Sequence, residues 1–169
     1  MTENLDEEFE GRWAEYLRLF GAGAIYLAFV RLAEIANCVQ HCRMTREVRS
    51  KWTSAVGEVV IAPGELHSIR VEADRNLARA RRMLNVAGEI NYEEFVLVVT
   101  LLTELDLLSH YLTERGVIEF PSADLLHDEV LAILSSPRNR AAHRSAQVSA
   151  RQNWGIPVHS RWLGTGTSQ

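Results

Sequence analysis

Residues 88–110 read GEINYEEFVLVVTLLTELDLLSH, a helix start followed by a run too apolar for a surface helix. Asn91 is a good N-cap residue, because its side-chain oxygen can accept from a backbone N–H that the first helical turn leaves without a partner. Glu94 stands three residues on, the spacing of a capping box with Asn in place of Ser or Thr. Ile90 and Phe95 have the spacing of a hydrophobic staple. Glu93 and Glu94 favour the positive end of the helix dipole. The run FVLVVTLLTELDLL at 95–108 is apolar almost all round. It predicts a helix to about residue 113, buried on several sides as a central helix or at an oligomer interface.

Helical periodicity continues on either side. Phe9, Trp13, Tyr16, Leu17 and Phe20 form one apolar stripe over 6–20. A strongly apolar helix follows over 24–41, with Ile25, Tyr26, Ala28, Phe29, Leu32, Ile35 and Ala36. Thr45 caps a short helix to about residue 60, and APGEL at 62–66 reads as a turn. A long, mostly polar helix spans 65–86, with Leu66, Ile69, Val71, Ala73, Leu77, Ala80, Met83 and Leu84 along it. Beyond the 91–113 helix, Arg115-Gly116 marks a stop. Ser122 after Pro121 caps a helix to about Leu134, and Ser136-Pro137 opens the last one. IEF at 118–120 is too short to count as a strand. The expectation is an all-α, single-domain bundle of about six to seven helices without significant sheet. It would span 1–152 behind an acidic tail at 1–8. An irregular tail at 153–169 carries Trp154 and Trp162.

The same stretch also looks like the end of a calcium-binding EF-hand loop. With Gly88 at position 6, Glu94 falls on position 12, but Met83, Asn85 and Ala87 fall on positions 1, 3 and 5. Met and Ala offer no side-chain oxygen to a hard cation, so no calcium partner is expected. Cys38 and Cys42 sit in CVQHC with His41 off their shared face. A closed zinc site needs four ligands and no second Cys/His cluster follows, so they read as buried small residues, with no metal and no cofactor expected. His67, His110 and His127 read as surface or partly buried histidines.

The chain has 169 residues and a formal net charge of −4. No charge-free apolar run reaches the roughly 18 residues of a membrane span. The best candidate, LFGAGAIYLAFV at 19–30, is closed by Arg31, and the N-terminus is too acidic for a signal peptide. A cytoplasmic protein with no membrane partner is expected. The charge is unevenly placed. Five of the first ten residues are acidic, whereas no acid follows Glu129 and Arg138, Arg140, Arg144, Arg151 and Arg161 do. That asymmetry points to an anionic partner for the C-terminal segment.

Residues 138–143 read RNRAAH. Asn139 and His143 lie one helical turn apart on one face, and Arg138 has a side chain long enough to swing toward it. The group starts a helix, where backbone N–H groups favour an anion. RNRAAH resembles the R-N-x-x-x-H form of the HEPN motif, and LTERGVI at 112–118 followed by a helix is similar to the approach to that motif. The resemblance covers residues 95–150 in outline. It implies a metal-independent endoribonuclease of the toxin or defence type, acting on RNA as a homodimer in which two motif copies meet, with an antitoxin or regulatory protein as partner. His143 would be the general acid or base, Arg138 would hold the scissile phosphate, and Asn139 would orient one or the other. Arg140 and Arg144 would add phosphate contacts. Some HEPN toxins carry Tyr two residues after the His, where this chain has Ser145. A second resemblance is carried by GAGAIYLAFVRLAEI at 21–35 and by residues 88–110. These are similar to helices of mannitol-repressor-type proteins, which implies a non-catalytic regulator or adaptor acting through protein partners.

Overall fold

A computed structural model describes residues 2–85, 90–117, 120–121 and 126–164. They form seven α-helices and no strand: α1 Thr2–Gly21, α2 Ile25–His41, α3 Arg46–Gly57, α4 Pro63–Leu84, α5 Tyr92–Glu114, α6 His127–Ile133 and α7 Pro137–Gln152. A 3₁₀ turn at Arg161–Leu163 closes the described chain.

α5 is the central helix. It packs against α2, α4, α7 and the C-terminal 3₁₀ turn, and α2 packs against α1, α3, α4 and α5. The Asn91 side chain accepts from Glu94 N–H at 2.8 Å, so the expected N-cap is made. Ile90 and Phe95 are both buried. Gly88, Glu89, IEF residues 118–119 and the Ser122 cap lie outside the described residues. At the far end, the Arg115 guanidinium donates to the carbonyls of Val56, Gly57 and Val59 and fastens the end of α5 to the end of α3. Gly116 then turns with φ +82°, a left-handed conformation that suits glycine. α5 is also the one described helix long and apolar enough to cross a membrane; here that apolarity is spent on the core.

Several boundaries differ from the sequence reading. Residues 2–8 of the expected acidic tail are helical, since α1 runs from Thr2, and Met1 lies outside the described residues. Asp6 accepts from the Trp52 indole at 2.6 Å and from Lys51 at 3.1 Å, and these bonds hold its carboxyl below the usual range. Phe9, a few residues on, is fully buried with its ring 5.7 Å from Trp52. Leu17, assigned to the apolar stripe, is 54% exposed, and so is Val71 at 41%. α4 begins at Pro63, inside the expected APGEL turn, because Pro suits the first helical position. Glu65 there accepts from Ala62 N–H at 3.4 Å. Thr45 caps α3 as expected, accepting from Val48 N–H at 3.3 Å.

Residues 153–160 are irregular but built into the core, and residues 165–169 of the expected tail lie outside the described residues. Trp154, Ile156, Trp162 and Leu163 are buried. Asn37 on α2 exchanges two hydrogen bonds with the His159 backbone, at 2.8 and 2.6 Å. Ser160 donates to Asp106 on α5 at 3.0 Å. The Arg12 guanidinium on α1 donates to the Trp154 carbonyl. Next to it Gly155 has φ +79°, and a Cβ there would collide with the Arg12 guanidinium.

Candidate functional site on the last helix

α7 carries RNRAAH on its first two turns. Pro137 occupies the first turn, where a missing N–H is tolerated. Ser136 holds the N-cap position but makes no capping bond, unlike the expected cap. Asn139 fastens the turn instead, its amide nitrogen donating to the Ile133 carbonyl at the end of α6 at 3.0 Å. Asn139 is 5% exposed, and its oxygen is buried without a hydrogen-bond partner among the described residues. Asn139, Ala146 and Ala150 are the buried stripe that α7 turns toward α5.

His143 lies at the edge of that stripe, half-buried, with its ring 5.4 Å from that of Phe95 on α5. Burial lowers its pKa below the ordinary 6.5, so the imidazole is neutral at pH 7. Arg138, Arg140 and Arg144 are exposed. By the helical period, Arg138 and His143 are about 140° apart, on opposite flanks of the buried stripe, whereas Arg140 is about 60° from His143 on the solvent side. Val148 on α7 and Leu131 on α6 are exposed apolar side chains, at 55% and 53%.

The other sequence candidates fall elsewhere. Cys38 is buried inside α2, while Cys42 is the half-buried residue just past its end. A hydrogen bond between the two thiols holds Cys42 down, to about 7, and pushes Cys38 up. The His41 ring lies 4.8 Å from that of His159. Among the described residues no group of three His, Cys, Asp or Glu is placed to hold a metal ion. His67, His110 and His127 are exposed.

Two carboxylates escaped the sequence reading. Glu34 on α2 is fully buried, 2.5 Å from Arg31 and 3.5 Å from Arg12. Burial pushes its carboxyl up to about 7 against the pull of those arginines. Glu104 on α5 is 8% exposed and is likewise pushed up to about 7 by burial, opposed by Arg31. The available signal was an acid inside each apolar run, LAEIA and LLTELDLL. Comparisons of the chain with known protein families, curated proteins and solved structures each give no match.

Proposed function

We propose that the chain is a metal-independent endoribonuclease of the toxin or defence type, acting as a homodimer through the first turns of α7. The observation that carries this reading is His143: a half-buried imidazole, neutral at pH 7, at the start of a helix with three exposed arginines. A neutral imidazole can take the proton of a ribose 2′-OH. The O2′ then attacks the adjacent phosphorus, and the P–O5′ bond breaks. A protonated imidazole returns a proton to the leaving O5′, giving a 2′,3′-cyclic phosphate and a 5′-OH. Arginine suits the charge that gathers on the phosphoryl oxygens. Dependence on the 2′-OH restricts the reaction to RNA.

The placement of Arg138 and His143 on opposite flanks favours a site shared between two copies, with Arg138 from one copy and His143 from the other. Leu131 and Val148 supply apolar surface for such an interface. Arg140 and Arg144 then contact flanking phosphates. The test is purified protein incubated with total RNA in EDTA, beside His143→Ala and Arg138→Ala. Cleavage by the wild type alone is the expected result. Equal cleavage by all three proteins overturns the reading.

A second reading rests on Asn139. Its amide nitrogen is engaged in the α6–α7 turn rather than offered to solvent. That favours a non-catalytic regulator or adaptor whose α6–α7 surface docks a protein partner. A folded dimer that leaves RNA intact and retains a stable protein partner on purification supports this second reading.

A further inference from the structure

A cavity of about 540 Å³ opens between the start of α2, the first half of α4 and the middle of α5, with no α7 residue in its lining. This volume is in the range of small-molecule sites. Two polar side chains in its lining, Glu104 and Tyr26, are more than nine-tenths buried. Glu104 feels the Arg31 charge but forms no ion pair with it among the described residues, and the Tyr26 hydroxyl lies beside Asn76 of the same lining without a hydrogen bond of normal geometry. Buried polar groups are normally satisfied, so a buried carboxyl without a bonded partner at the wall of an open cavity calls for an occupant.

The lining also indicates the occupant's chemistry. Glu72 and Glu104 are acidic. Arg75, the one arginine in the lining, is bound to Glu72 at 3.1 Å. Leu27 and Val71 belong to the same lining and are 39% and 41% exposed, while Ile25 and Leu101 lie deeper. We propose that this cavity is a binding site for a small organic ammonium compound, whose N–H groups donate to Glu104 and whose apolar body covers Leu27 and Val71. The Tyr26 hydroxyl completes the polar end. α2 starts at the cavity with no side-chain cap and no acid in its first turn, so a carboxylate beside the amine would find free backbone N–H groups there.

Charge around Glu104 makes binding depend on pH. Arg31, Glu34 and Tyr26 face it from α2, and Glu72, Arg75 and His67 share the cavity from α4. Its carboxyl, raised to about 7 by burial, must ionise to hold a cation, so affinity rises as pH increases through neutrality.

The experiment is an NMR titration of the full ¹⁵N-labelled chain with phenethylamine, 2-phenylethanol, 3-phenylpropanoate and phenylalanine. The expected result is saturable shifts at the amides of residues 23–27 and 101–104 with phenethylamine, about tenfold weaker binding of the alcohol and none of the propanoate. Glu104→Gln should weaken the amine about tenfold and remove its pH dependence. Tyr26→Phe should weaken it less, and serves if the first variant does not fold. Phenylalanine binding tighter than phenethylamine assigns an amino acid as the ligand type, and weaker binding assigns a plain amine. No shift with either ammonium compound, propanoate binding as well as the amine, or unchanged amine affinity in Glu104→Gln overturns the proposal.

Discussion

Asn139 shows how one residue can belong to a motif and to the scaffold at once. Its amide nitrogen holds the Ile133 carbonyl, so Asn139→Ala leaves that carbonyl unbonded and should cost about 1–3 kcal/mol in urea unfolding. Asn139→Asp cannot donate and should cost at least as much. His143 makes a second prediction. Burial lowers its pKa in the folded chain below the unfolded value near 6.5. The unfolded chain therefore binds the proton more readily, and this contribution is whole above pH 6.5 and lost as pH falls below it. A His143→Gln variant should lose less stability than the wild type between about pH 7 and pH 5; parallel profiles would show that burial of the ring is inconsequential. The sequence placed Asn139 and His143 on one face, and the helix keeps them there. It did not reveal what Asn139 bonds, because the Ile133 carbonyl reaches it only through the turn between two helices.

At the scale of elements, α5 was legible because its signals are local. Cap, staple and apolar run all lie within 90–108, and each needs only its neighbours along the chain. Asn91→Ala should destabilise the protein by about 1 kcal/mol, read as a lowered melting temperature with unchanged helix content. The first turns of α1 were not legible. Five acids in ten residues resemble a solvated tail, and the groups that bind two of them, Asp6 and Glu10, are Lys51 and Trp52 from α3. The Ser136 cap failed for a related reason. The sequence supplied a suitable residue, but the turn gave the anchoring role to Asn139.

Over the whole molecule, two carboxyls inside a helical core set an unusual pH response. Glu34 and Glu104 have folded pKa values near 7 against ordinary values of 4.5. Between these limits the folded chain holds more protons than the unfolded one, so stability falls as pH rises from about 4.5 through 7. The melting temperature should drop between about pH 5 and pH 8, and Glu104→Gln should flatten part of the slope. An identical slope in the variant would show that Glu104 is solvated in the folded protein. The sequence hid this behaviour, since a lone Glu in an apolar run does not say whether it faces water.

The bond from Arg12 to the Trp154 carbonyl joins residues 142 positions apart. During synthesis, α1 and α2 leave the ribosome long before their partner in the closing segment exists. Helices can form early, but the Arg12 contact, the Asn37–His159 pair and the seat of Trp162 must wait for residues 154–162. The bundle therefore closes only once residues 154–163 have been made. Until then the nascent chain exposes the apolar faces that Trp154, Ile156, Trp162 and Leu163 will cover.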